Sequence, residues 1–215
     1  MTRASSHRHV PGRTRRGGLW IIALAAALLA VSACGGIKNS YQNYHRTRAG
    51  DYPEAVKRWS AYGSVYRGFQ TILLAHGTYK SAAFRRAYAE KYAADHRLNQ
   101  TDRRRLLDEE AAAAAKGFEF VLALYAPDKE TINLGSPRSL WTIYLENDAG
   151  QRLSPDDIRG LDRDRARLME YYPYITPWQE LYRVRFPADP ALARSRLHLV
   201  LTGVQGTTRL TFPLP

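Results

Sequence analysis

A single cysteine, Cys34, in 215 residues excludes an internal disulfide, so whatever core the chain builds is held by packing alone. No apolar run is long enough for a comfortable permanent span. Leu19 to Val31 (LWIIALAAALLAV) is the clearest uninterrupted one at 13 residues, and a helix crossing the hydrocarbon core needs roughly 20. Local catalytic signatures are missing as well. There is no G-x-S-x-G elbow, H-E-x-x-H, phosphate-binding loop or G-x-G-x-x-G, and no cysteine pair for zinc. These absences lower the weight of an enzymatic reading without removing it, because triads and carboxylate pairs assemble from distant positions.

What is there reads as a globular chain. Hydrophobic residues are 45% and charged residues 24% of the sequence, a composition that can close a core in one domain of this length. The formal charge of +12 is partly local. Arg3, Arg8, Arg13, Arg15 and Arg16 precede the apolar run with no acid among them, so 27 basic residues face 20 acidic ones beyond residue 33, a net of +7. Most of those arginines alternate with acids, as in Asp162, Arg163, Asp164, Arg165, and only Arg103 to Arg105 cluster. A nucleic-acid surface needs a basic face interleaved with stacking aromatics, so no nucleic-acid partner is expected. Weak attraction to anionic lipid headgroups fits the pattern better.

Residues 1 to 33 have the order of an export signal, with a polar arginine-rich segment, a short apolar run and then small residues. The run ends in Val31, Ser32, Ala33, Cys34, followed by Gly35 and Gly36. This resembles the lipobox of bacterial lipoproteins. The resemblance implies cleavage between Ala33 and Cys34 and a diacylglyceryl thioether on the Cys34 sulfur, the strongly nucleophilic atom in the motif. It also implies a membrane partner reached through that lipid. Each buried methylene contributes about 0.8 kcal/mol, so two or three chains anchor a soluble body stably. In a cell with two membranes, Gly35 in place of Asp after the cysteine resembles lipoproteins sorted to the outer membrane, facing the periplasm.

Residues 34 to 50 are polar and aperiodic and are expected to form a tether. The body is expected over 51–215 as one α+β domain. A capping-box-like Asp51 and Glu54 predict a helix to about Tyr62, and Val65 to Tyr79 reads as one strand with Val65, Phe69, Thr71 and Leu73 on a shared face. A helical hairpin should fill about 81–117. Its first helix is capped by Ser81 and striped by Phe84, Tyr88 and Tyr92; its second is capped by Thr101 and closes at Gly117. From 118 the period changes to two, with strands expected at Phe118–Tyr125, Leu140–Glu146, Leu181–Phe186, Arg196–Thr202 and Thr208–Phe212. The last two should pair across Gly203 to Thr207, and Trp141, Ile143 and Leu145 should face inward. The pattern resembles an antiparallel, immunoglobulin-like β-sandwich with the helical hairpin inserted between its first two strands, and the body resembles bacterial envelope lipoproteins in element order and composition.

For chemistry the candidates are sparse. His45 falls in the tether and His96 at a helix end, while His76 and His198 sit on expected strands. Asp156, Asp157, Asp162 and Asp164 concentrate carboxylates in a connection, but Arg159, Arg163 and Arg165 compete for the same oxygens, so a salt-bridged loop is expected and no metal or other cofactor. Tyr171 to Trp178 (YYPYITPW) is either an irregular cap on the core or an exposed platform in which Tyr171, Tyr172, Tyr174 and Trp178 contact a partner. Solvent exposure decides between the two. The expected function is a membrane-anchored, non-enzymatic binding or envelope-organisation module with an envelope protein as partner. The alternative is a periplasmic hydrolase or glycan-acting enzyme, whose sign would be an open cleft gathering His76 or His198 with two carboxylates.

Overall fold

A computed structural model describes residues 51–214. The expected signal segment, the cleavage pair Ala33 and Cys34, the tether and His45 lie outside the described residues.

The described chain is α+β, with four helices and two antiparallel sheets. In order these are α1 (Tyr52–Trp59), β1 (Ser60–Arg67), β2 (Gln70–Tyr79), α2 (Ala82–Asp95), α3 (Gln100–Ala115), β3 (Gly117–Tyr125), β4 (Trp141–Asn147), β5 (Arg152–Leu153), β6 (Asp157–Gly160), α4 (Arg165–Tyr171), β7 (Glu180–Pro187), β8 (Leu197–Gly203) and β9 (Gly206–Phe212). One sheet runs β1-β2-β3-β7-β6 and the other β5-β4-β8-β9. Their apolar faces contribute to a single buried cluster. Leu73, Phe120, Leu122 and Val184 from the first meet Ile143, Leu145, Leu199, Leu210 and Phe212 from the second. The period-two alternation of β4, β8 and β9 delivers this, since residues two apart share a face.

The five expected strands from 118 onward are present with ends shifted by a residue or two. Leu197 and Leu199 pair with Phe212 and Leu210 across the turn between Gly203 and Gly206. Trp141, Ile143 and Leu145 are all buried.

The segment expected as one strand is instead a hairpin. Arg67 pairs with Gln70, leaving Gly68 and Phe69 as a two-residue turn. Gly68 takes φ +59° at the first turn position, a conformation open to glycine and costly to residues with a β-carbon. Phe69 therefore does not share a face with Val65 and Leu73; it stands fully exposed at the tip. Because the chain reverses there, α1 ends at Trp59 rather than Tyr62, and Ser60 already pairs with Thr78. Asp51 makes no side-chain cap; its carbonyl accepts from the Ala55 amide at 2.9 Å.

The helical hairpin sits between β2 and β3, which pair directly with each other from Leu74–Tyr125 to Tyr79–Phe120. Ser81 caps α2, its Oγ accepting from the Phe84 amide at 3.1 Å. The cap of α3 is Asn99 and not Thr101, with Oδ1 accepting from the Asp102 amide at 2.9 Å. Gly117 does not close α3 either. It opens β3 at φ +142°, pressed against the Phe186 carbonyl. The connection expected between strands at 152–171 contains β5, β6 and α4, which carry too few apolar residues to signal themselves by period.

Candidate functional site

The Tyr171–Trp178 segment divides sharply. Tyr171 and Tyr172 are 1% and 2% exposed, Tyr174 is partly buried, and Trp178 is 70% exposed. Tyr171 closes α4, where its ring meets Tyr88 edge-on at 5.1 Å and its carbonyl accepts from the Tyr52 hydroxyl at 2.7 Å. Tyr172 stacks on Phe84 at 6.0 Å. Tyr174 crosses the outer face of the five-stranded sheet, sharing a hydrogen bond with Thr78 Oγ1 at 2.8 Å and donating to the Val121 carbonyl at 3.3 Å. Burial pushes the hydroxyls of Tyr172 and Tyr174 above the ordinary tyrosine range and that of Tyr88 up to about 12. Three of the four candidate contact residues thus hold α4 and the helical hairpin onto the sheet. Trp178 alone among them presents its ring to solvent.

His76 lies beside this segment on the outer face of β2, between Tyr174, stacked at 5.4 Å and 12°, and Tyr62 at 4.7 Å. Its Nδ1 is buried without a hydrogen-bond partner in the protein, and burial lowers its pKa, because the imidazolium loses solvation that no carboxylate replaces. His96 ends α2, its Nε2 3.3 Å from the Tyr171 hydroxyl.

His198 occupies the outer face of the other sheet. Its Nε2 is 2.9 Å from Asp148 Oδ1 and its Nδ1 is 3.0 Å from Thr211 Oγ1, while Asp148 also accepts from Arg196 Nε at 3.1 Å. On the same face Glu146 accepts from Arg152 at 2.9 Å and from Arg209. The arrangement fastens β8 to β9 and to the chain after β4; His198 hydrogen-bonds one carboxylate, not the two a hydrolytic cleft would need.

Three of the four aspartates at 156–164 pair with arginines. Asp157 pairs with Arg183 at 2.7 Å, Asp162 with Arg165 at 2.5 Å and Asp164 with Arg167 at 2.9 Å. Among the described residues no group of three or more potential ligands is placed to hold a metal ion.

A four-charge cluster not foreseen from the sequence joins the hairpin to β3. Arg85 of α2, its side chain 3% exposed, meets Glu110 of α3 at 2.5 Å and Glu119 of β3 at 3.3 Å; Lys80 reaches Glu119 at 3.1 Å and Glu110 at 3.8 Å. Burial pushes the Glu119 carboxyl up, but Lys80 and Arg85 outweigh it and hold the group below the usual range. The signal in the sequence is faint. Arg85 sits next to the apolar stripe at Phe84, and Glu119 alternates with Phe118 and Phe120. Beside this cluster, Ala82, Ala114, Pro190 and Ala193 line an apolar cavity of about 480 Å³ over Tyr79 and Phe118.

No family model matches the chain, and neither the curated proteins nor the solved structures compared with it include a similar one.

Proposed function

We propose that the chain is a bacterial envelope lipoprotein, anchored by lipid on Cys34, whose body serves as a non-enzymatic binding or envelope-organising module. The observation that carries the reading is the run Val31, Ser32, Ala33, Cys34 placed directly after a 13-residue apolar segment, since a peptidase needs small residues at the bond and lipid transfer needs a thiol. In a host with two membranes, Gly35 after the cysteine favours the outer membrane, facing the periplasm.

On this reading the two sheets form an immunoglobulin-like sandwich, a frame that leaves its end loops free for contact with an envelope partner. A hydrolytic reading is less favoured, because His76 hydrogen-bonds no carboxylate among the described residues and His198 hydrogen-bonds one, Asp148.

Labelled palmitate added to cells making the wild-type chain and Cys34→Ser tests the anchor. Label is expected in the wild type and none in the variant; a wild-type chain without label overturns the reading.

A further inference from the structure

Eight large apolar side chains stand exposed among the described residues, and five of them, Tyr66, Phe69, Leu140, Trp178 and Val204, lie at one end of the two sheets. Strand pairing places them there. Phe69 tips the β1–β2 turn, with Tyr66 just above it opposite Thr71. Val204 tips the β8–β9 turn, closed by the Gly203–Gly206 pair. The two turns are neighbours, because Gly206 lies so near Val65 that a β-carbon on it would come within 2.6 Å of Val65 Cγ1. Leu140 precedes Trp141, the partner of Gly203, and Trp178 precedes Glu180, which pairs with Leu124 near the foot of β3. The helical hairpin leaves from the opposite end, where β2 stops at Tyr79 and β3 starts at Gly117.

Apolar side chains on four separate connections stand partly or wholly in water at this end. Phe69 is fully exposed, Val204 is 88% and Trp178 70% exposed. Their shape selects the occupant. A protein partner buries a continuous, complementary patch, whereas these side chains stand on four separate connections. The interface of a bilayer imposes no fixed shape, and it takes tryptophan and other amphipathic or apolar groups at headgroup depth.

Chain length allows the contact. About 17 residues separate Cys34 from Asp51, and at about 3.3–3.6 Å per residue they reach at most about 56–61 Å. A strand of ten residues such as β2 spans roughly 33 Å. A lipid on Cys34 and the tips of this end can therefore sit in one bilayer, and tethering raises the local concentration of that surface, so that modest apolar contacts suffice.

We propose that this end is a bilayer-docking face that lays the body on the membrane bearing its anchor, with Phe69, Val204 and Trp178 entering the headgroup region. The proposal rests on the lipid-anchored reading. Its test uses the full chain as processed by its host, reconstituted in vesicles of phosphatidylethanolamine and phosphatidylglycerol with or without dibrominated acyl chains. Trp178 emission is read as the difference between wild type and Trp178→Phe; Trp59 and Trp141 are both 3% exposed and change little between the two lipids. Brominated lipid is expected to quench the Trp178 emission, and Phe69→Ser with Val204→Ser is expected to abolish the quenching while the chain still floats with vesicles. Unquenched Trp178 that remains open to acrylamide on floating vesicles overturns the docking face and leaves the anchor standing. A chain that mass spectrometry finds without lipid, yet floats with Trp178 quenched, overturns the anchor and keeps the face. One that neither carries lipid nor floats overturns both.

Discussion

The guanidinium of Arg85 and the carboxylate of Glu110 meet at 2.5 Å across the helical hairpin, with the Arg85 side chain 3% exposed. The contact joins residues 25 positions apart, and it is one of the ion pairs that tie α3, which has no buried residue of its own, to the rest of the body. Charges out of water persist only when mutually satisfied. Here two cations, Lys80 and Arg85, face two anions, Glu110 and Glu119.

Removing Arg85, the buried member, leaves the partly buried Glu110 and Glu119 to share Lys80 alone. Arg85→Ala is expected to cost about 3–5 kcal/mol, measured as a fall in the urea midpoint. Arg103 pairs with Glu90 at 2.8 Å on the surface, with its side chain 50% exposed, so Arg103→Ala is expected to cost no more than about 1 kcal/mol. Equal losses from the two variants would contradict the greater weight of the buried Arg85.

Stability is expected to fall with acid in two stages. His76 has a folded pKa below its ordinary 6.5, so the unfolded chain takes up its proton first. The fold is unpenalised above pH 6.5 and loses stability as pH drops from there towards the folded pKa. Glu119 is likewise depressed, below 4.5. Its contribution is fully present above pH 4.5 and disappears as pH falls through the folded value. Denaturation midpoints measured against pH should therefore flatten just below pH 6.5 in His76→Phe and below pH 4.5 in Glu119→Gln. A His76→Phe curve parallel to wild type between pH 5 and 7 would refute the first assignment.

Two glycines with positive φ separate backbone cost from crowding. Gly68, at φ +59°, has open space where a β-carbon would stand, whereas one on Gly117 would run into the Phe186 carbonyl. Gly68→Ala is expected to cost about 1–2 kcal/mol and Gly117→Ala more than about 4 kcal/mol, or to prevent folding. Thermal melts of the two variants check the order, and a Gly117→Ala protein as stable as Gly68→Ala would show that the start of β3 yields easily.

Elements governed by near neighbours are legible in the sequence. Ser81 announces α2 because its hydroxyl needs only the amide three residues on, and Leu197, Leu199, Leu210 and Phe212 announce a hairpin because alternation and the Gly203–Gly206 turn act within a few residues. The sequence misleads where one local pattern admits two outcomes. Val65 to Tyr79 alternates well enough for one long strand, and only the pairing of Arg67 with Gln70 shows that Gly68 reverses it. At 99–101 two cap residues compete within three positions, and Asn99 holds the Asp102 amide.

Of the aromatic run, the sequence alone determined that Pro173 and Pro177 exclude a regular central strand or helix. Only the tertiary structure decided that Tyr171 and Tyr172 serve the core and that Trp178 does not. The order and type of most elements follow from propensities and turn chemistry that act over a few bonds. Burial, the charge cluster of Lys80, Arg85, Glu110 and Glu119, and the gathering of Phe69, Leu140, Trp178 and Val204 at one end depend on which strands pair and what covers each face. Those choices are made by residues tens of positions apart, where the burial of apolar surface across the whole chain outweighs any local preference.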